Sequence, residues 1–222
     1  MARTDELIKK DVIDQLTRDD RVDSSQVSVE VRNGVVTLRG EVPTYFSRLA
    51  AYDDAEAILG VTSVRNQLLV NLPSTAAIPT DVDIENSVRQ RLAINPDIDL
   101  LDLEVVVSAG RVTLRGTVDA YWKKIHAEDL IAGEPGVVWI ENHLAVVPSE
   151  DVADRAIADD IVETLESKAA VDADDVNVRV RDGDVTLTGS VSTWTGRKAA
   201  DEAAFYTPGV THVNNRISVM AI

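Results

Sequence analysis

The sequence predicts an α+β fold that is built three times along the chain, and three observations carry this prediction. One glycine-led pattern, G-x-V-T-L-x-G-x-V, begins at Gly34, Gly110 and Gly183. Each copy is preceded by the apolar spacing of an amphipathic helix and by a strand of alternating apolar residues. A second pattern begins with Gly-Val 26 residues after the first glycine of each copy. This regular spacing indicates one small module in tandem.

The first element of each copy is a helix with a single apolar stripe. In the first copy Ile8, Val12 and Leu16 recur every four residues, which places them on one side of a helix. The same spacing returns at residues 84, 88 and 92 and at residues 157, 161 and 165. An aspartate follows each helix, Asp23 in the first copy, and we expect its short acidic side chain to order a turn.

A β-hairpin follows the first helix. Val27, Val29 and Val31 alternate with polar residues, so one face of this strand is expected to be buried. The next strand begins after Asn33-Gly34, and such an Asn-Gly pair is a strong signal for a tight hairpin turn.

The second strand, the second helix and a final strand complete each copy. Gly40, the second glycine of the pattern, falls on the core side, where we expect a bulge or a close approach of another backbone segment. Second helices are predicted over residues 44–58, 120–132 and 193–206. Asn66 lies at an inward position of the last strand, so its amide is expected to bond backbone or a turn.

The element order is therefore helix–strand–strand–helix–strand. It predicts three tandem two-layer sandwiches, each with two helices on one face of a three-stranded sheet whose other face is polar. We place the copies at residues 1–73, 79–148 and 149–222. A proline-bounded linker, residues 72–79, joins the first two copies.

Composition and motifs argue against several classes of function. The chain has 222 residues, a formal net charge of −16 and no cysteine. Nucleic-acid binding is disfavoured because no basic stripe is present. We find no nucleophile or phosphate-loop motif, and the three histidines do not align between copies. We therefore predict no enzyme, no catalytic or metal-binding residue and no cofactor. Weak calcium binding at residues 182–184 or 172–175 is the alternative to a solvated acidic surface.

The repeated patterns resemble those of the BON domain, a family found in bacterial osmotic-shock-induced and outer-membrane-associated proteins. The resemblance rests on G-x-V-T-L-x-G-x-V and on the later G-V-x-x-V-x-N-x-L, and it covers nearly the whole chain as three copies. It implies a non-catalytic module that binds phospholipid or interacts with cell-envelope membranes. Most tandem members of the family are periplasmic.

The start of the second helix is the most suggestive surface for a ligand. An aromatic residue occupies one aligned position in every copy, and a basic residue occupies another three residues later, on about the same helix side. Such a pair suits a membrane interface. In the alternative interpretation the aromatic covers the core and the cation pairs with a nearby acidic residue. The candidate lipid or partner contacts are Tyr45, Phe46, Arg48, Tyr121, Trp122, Lys123, Lys124, Trp139, Trp194, Arg197 and Lys198.

The sequence is compatible with two functions. The first is an array that binds phospholipid or another envelope component, in osmotic or envelope stress. The second is a scaffold that self-assembles through the modules and their open sheet edges, as a homo-oligomer or with a protein partner. The N-terminal residues lack the apolar segment of a signal peptide, so the chain as it stands is expected to be cytoplasmic. A processed mature form would be periplasmic.

Overall fold

The computed structural model describes residues 3–72 and 79–219, and it confirms the α+β fold with three three-stranded sheets. The predicted linker between the first two copies therefore lies mostly outside the described residues. The helices are α1 (Asp5–Arg18), α2 (Tyr45–Glu56), α3 (Asp81–Ile94), α4 (Tyr121–Ile131), α5 (Asp154–Glu166) and α6 (Trp194–Phe205). The strands are β1 (Val27–Arg32), β2 (Val35–Val42), β3 (Ser63–Val70), β4 (Leu103–Ser108), β5 (Arg111–Val118), β6 (Trp139–Val146), β7 (Val176–Arg181), β8 (Asp184–Val191) and β9 (His212–Val219).

The described chain divides into two compact units rather than three. The first unit comprises residues 3–116 and 126–144, and the second comprises residues 117–125 and 145–219. The predicted copy boundaries therefore stay a prediction. Within the described residues, no helix combines the length and the apolar character that crossing a membrane would require.

The middle strand of each sheet is the second strand of its copy. The sheet orders are β1-β2-β3, β4-β5-β6 and β7-β8-β9. In the first sheet β1 pairs antiparallel with β2, while β3 pairs parallel with β2. The third sheet has the same two pairings. Leu38 thus lies between Val29 and Asn66, so its side chain sits at the centre of the layer that the helices cover.

The predicted apolar stripes form the core. Ile8, Val12 and Leu16 of α1 are at most 2% exposed, and Val36 and Leu38 of β2 are fully buried. The other two copies bury the corresponding side chains in the same way. Burial of these apolar surfaces is the main source of stability in such small modules.

An aspartate in the first turn of the first helix ties that helix to the hairpin. The Asp5 carboxylate accepts hydrogen bonds from the backbone N–H groups of Asn33 (2.8 Å) and Gly34 (3.0 Å). Both turn residues have positive φ, 51° and 75°, as a tight hairpin of this kind requires. The same pair of hydrogen bonds recurs from the hairpin turns of the other copies to Asp81 and Asp154.

The second glycine of the repeated pattern allows a close backbone approach, as predicted. A Cβ at Gly116 would lie 1.9 Å from the carbonyl oxygen of Asp102, and the φ of this glycine is +120°. The same clash would occur at Gly40 and Gly189. No other residue type is accommodated here without a backbone shift.

Two smaller expectations are also confirmed. Asp23 caps a short 3-10 helix by accepting a hydrogen bond from the N–H of Ser25, and its counterparts in the other copies do the same. Asn66 donates to the Arg48 carbonyl (2.7 Å) and accepts from the N–H of Leu68 (3.1 Å). Such asparagines join the last strand to the second helix.

Asp54 is an acidic residue in the core of the first copy. It is 5% exposed, at a repeat position that Leu130 and Ala203 occupy in the other copies. Its Oδ1 accepts a hydrogen bond from Gln15 (3.1 Å), while Oδ2 has no hydrogen-bond donor among the described residues. Burial raises the pKa of this carboxyl, and the neighbouring Asp19 carboxylate raises it further. Arg21, bound to Asp19, lowers the pKa of Asp19 to about 2.

We expect Asp54→Asn to stabilise the first copy at neutral pH. The pKa of Asp54 is higher in the folded protein than its unfolded value of about 3.9, so the folded state is favoured while this carboxyl is protonated. This contribution to the free energy of unfolding is complete below about pH 3.9, and it is lost as the pH rises through the folded-state pKa. The amide carries no charge and removes this loss. Urea unfolding between pH 4 and pH 8 should show a higher midpoint for the variant near neutrality and a flatter pH profile.

The control for this experiment is Asp20→Asn, which removes one negative charge from an exposed neighbouring residue. It should leave the pH profile of the wild type unchanged. If the urea midpoints of wild type and Asp54→Asn changed with pH in parallel, the raised pKa of Asp54 would be wrong.

Gly116→Ala should destabilise the fold by roughly 3 kcal/mol or more, because it combines a disfavoured φ with a backbone clash. Gly133→Ala in the same copy is the matched control, since a Cβ there meets no atom within 4 Å. Thermal unfolding of both variants measures the difference. A small effect of Gly116→Ala on the unfolding temperature would mean that the strand moves away from the Asp102 carbonyl at little cost in free energy.

Candidate functional site

The start of the second helix is fixed by a threonine cap. Thr44 accepts a hydrogen bond from the N–H of Ser47 (2.9 Å), and Thr193 accepts one from the N–H of Gly196 (3.0 Å). Threonine is a favourable residue at this position because its hydroxyl satisfies a free helix N–H. Tyr45 and Trp194 thus become the first residues of α2 and α6.

Tyr45 and Trp139 make an aromatic contact inside the first unit. Their rings meet edge to face with centroids 5.9 Å apart. Tyr45 is 4% exposed, and its hydroxyl donates to the Glu128 carboxylate over 3.3 Å. Burial, together with the charge of Glu128, raises the pKa of Tyr45 to about 12. This aligned aromatic is therefore a packing residue.

Arg48 completes this contact. Its guanidinium carbon lies 4.5 Å from the centroid of the Trp139 ring, a distance suited to a cation–π interaction. Its Nε donates to the carbonyl of Leu68 (3.1 Å), and its Nη2 donates to the carbonyl of Asn66 (3.3 Å). Burial lowers the pKa of Arg48. The Arg48 guanidinium thus links the second helix to the last strand, whose backbone carbonyls accept its hydrogen bonds.

A corresponding contact occurs in the second unit. The Tyr121 ring meets Phe205 edge to face at 5.7 Å and His212 at 5.9 Å. His212 occupies the same repeat position as Trp139, and Tyr121 occupies the same position as Tyr45. The aromatic residue at the start of the second helix therefore packs against another ring in two copies, as Tyr45 and as Tyr121.

The remaining candidate residues have different surroundings. Trp194 is half-buried, and the guanidinium carbon of Arg197 lies 4.6 Å from its ring centroid. Phe46 is 41% exposed, with the Arg21 guanidinium carbon 5.8 Å from its ring. Lys124 is half-buried and Lys198 is exposed.

A groove in the second unit brings together two of the predicted residues, Trp122 and Lys123. The groove has a volume of about 250 Å³ and lies between the start of α4, the segment after β6 and the turn after α6. The Trp122 ring lies 6.5 Å from the ring of Tyr206, at an angle of 39°. Tyr206 is 65% exposed. The Lys123 ammonium binds the Asp119 carboxylate at 2.8 Å and lies 5.7 Å from the Trp122 ring centroid.

Tyr206 was not among the predicted site residues. Its counterparts in the other copies are Ala57 and Gly133, so no repeated pattern marks the position. The sequence signal that could have identified Tyr206 was its difference from the small residues at the two equivalent positions. A lone aromatic at a variable repeat position is a sign of a local, copy-specific role.

The groove combines side chains of different chemistry. It offers two aromatic faces, one cation and the carboxylates of Asp119 and Glu150. In the part of the chain that the structure describes, no three His, Asp or Glu side chains are grouped so as to hold a metal ion. The fold is that of a tandem array of small α+β modules, with an aromatic-lined groove in the second unit.

Comparison with known proteins identifies this class. The family description "BON domain" matches three segments of the chain, residues 4–71, 80–148 and 153–221. The chain therefore belongs to the BON-domain family.

Individual relatives are more distant. Osmotically-inducible protein Y of Escherichia coli (strain K12) is 27% identical over 128 residues, which cover 56% of this chain and 64% of that protein. The match therefore spans less than two thirds of the relative. Among solved structures, the C-terminal domain of CdsD, a structural protein of the type III secretion system of Chlamydia trachomatis, aligns at 14% identity and a TM-score of 0.26 over 98% of this chain and 99% of that chain. The PrgH periplasmic domain aligns at 14% identity and a TM-score of 0.22, over 88% and 95% of the two chains.

We expect Trp139→Ala to destabilise the first unit by roughly 1–3 kcal/mol, somewhat less than loss of a fully buried aromatic side chain. The variant removes the ring that contacts both Tyr45 and Arg48. Trp122→Ala is the comparison, because its ring lines an open groove and its loss should change the unfolding midpoint far less. Chemical unfolding followed by far-UV circular dichroism measures both. Equal effects would show that the two tryptophans have similar structural roles.

Proposed function

We propose that this chain is a non-enzymatic protein of the cell envelope that binds a phospholipid surface, in the context of osmotic or envelope stress. The observation that carries the proposal is the groove of Trp122, Lys123 and Tyr206, where exposed aromatic surface adjoins a cation. Aromatic rings at headgroup depth beside a lysine suit a membrane interface.

The packing of the other candidates narrows the proposed contact surface. Tyr45, Arg48 and Trp139 contact one another, and Tyr121 contacts Phe205. These four candidates make packing contacts within their units. We assign the lipid contacts to Trp122 and Lys123, with Lys124 and Lys198 as further cations of the second unit. Phe46, whose ring adjoins the Arg21 guanidinium in the first unit, is left out of this surface.

The relative supports the stress context. Osmotically-inducible protein Y is named for its response to osmotic conditions, and this chain shares the BON domain with it. Under this proposal the chain acts in the periplasm.

A scaffold is the second candidate function. The aromatic residue at the start of the second helix packs against another ring in two copies. Tyr45 contacts Trp139, and Tyr121 contacts Phe205 and His212. Surfaces of this kind can also join separate chains. In addition, each sheet has two edge strands, and an edge strand can pair with a further strand.

Vesicle flotation combined with light scattering tests the two candidates. We expect a species of constant mass across protein concentration that co-floats with phospholipid vesicles. Growth into large species without lipid, together with no co-flotation with neutral or anionic vesicles, would overturn the membrane proposal in favour of the scaffold.

A further inference from the structure

The groove in the second unit has features that select a particular class of lipid headgroup. It is built from the start of α4, the segment from Pro148 to Val152, and the turn from Tyr206 to Val210. Sites between structural elements of this kind are common places for small ligands. The inference below rests on the proposed function, because it specifies what the same site binds.

The two aromatic rings favour an organic cation. The Trp122 and Tyr206 rings are inclined at 39° with their centroids 6.5 Å apart, so both can lie within about 6 Å of one ammonium group. Glu150 supplies a carboxylate in the same lining. Ammonium ligands are commonly bound by aromatic faces. A nearby carboxylate attracts the same cation.

Lys123 provides the complementary charge. Its ammonium already binds Asp119 at 2.8 Å, and an ammonium has three N–H donors, so it retains capacity for a second acceptor. A phosphate oxygen is such an acceptor. The groove therefore presents sites for a negative and a positive group in one ligand.

The size of the groove and the overall charge limit the ligand further. A volume of about 250 Å³ is below the range of about 300–1,000 Å³ typical of pockets for drug-sized ligands, so it suits a headgroup rather than acyl chains. A net charge of −16 repels a strongly anionic membrane surface. A zwitterionic surface carries no such penalty.

We propose that the groove of Trp122, Lys123, Glu150 and Tyr206 binds the phosphate-ammonium headgroup of a zwitterionic phospholipid in a bilayer. Lys123 holds the phosphate, the two aromatic faces hold the ammonium, and Glu150 neutralises its charge. The acyl chains stay in the membrane. The chain thus attaches to its surface by headgroup recognition.

Vesicle flotation with two lipid compositions tests the headgroup preference. We expect stronger binding to vesicles of phosphatidylcholine with phosphatidylethanolamine than to vesicles of phosphatidylglycerol, at equal lipid concentration. Trp122→Ala should weaken binding roughly tenfold, equivalent to about 1.4 kcal/mol, because it removes one of the two aromatic faces. Glu150→Gln should reduce the preference for the zwitterionic lipid.

Phe46→Ala is the matched control. Phe46 holds the same repeat position as Trp122 and is itself 41% exposed, but it does not line the groove. It should change binding less than twofold. Equal losses for the two variants, or a preference for phosphatidylglycerol, would overturn the headgroup assignment while leaving phospholipid binding intact.

A soluble ligand separates this inference from the proposed function. We expect phosphoethanolamine to shift the NMR signal of the Trp122 indole N–H in a saturable manner, whereas inorganic phosphate alone does not. An equal shift with phosphate would reduce the groove to an anion site and overturn the assignment. If the headgroup compound binds while no vesicle does, the membrane function fails and the ligand is the free compound.

Discussion

The hydrogen bonds from each hairpin turn to an aspartate at the start of the first helix are the constraint on which the architecture depends. Two adjacent N–H groups point out of a turn whose residues both have positive φ, and the Asp5 carboxylate binds both. A carboxylate in the first turn is also favoured by the helix dipole. The contact fixes the helix against the sheet, and the apolar stripe of α1 then packs into the core beside β1. The second helix and the last strand complete a layer whose centre is already defined.

Much of this arrangement could be predicted because it repeats. Three copies of one spacing distinguish required positions from incidental ones, so the helix stripes, the hairpin and the close approach at Gly40 were all evident in the sequence. The second helices begin within one residue of their predicted starts because a threonine precedes two of them. The asparagine in the last strand was likewise evident as a buried amide in need of partners.

Other features depend on contacts that no local pattern contains. Asp5 and Gly34 are 29 residues apart, and an acidic residue in a first helical turn already has a local explanation. The contact of Tyr45 with Trp139 joins residues of different copies, so the alignment identified both side chains but not their pairing. Tyr206 and Asp54 lie at positions where the repeat offers small or apolar residues. Departures from a repeat were thus more informative about copy-specific contacts than the repeat itself.

Differences between the copies also bear on the fidelity of folding. Neighbouring modules of similar sequence are prone to exchange equivalent elements, which gives misassembled chains. The cores do little to prevent this, because the first helices present almost the same stripe: isoleucine, then valine or isoleucine, then leucine. Selectivity comes from unlike residues at equivalent positions, where the last strand begins with Ser63, Trp139 or His212. A last strand paired with the wrong central strand would bring the wrong side chain to Tyr45 or Tyr121. The aromatic contacts therefore differ between the copies, and a mispaired last strand would lose them.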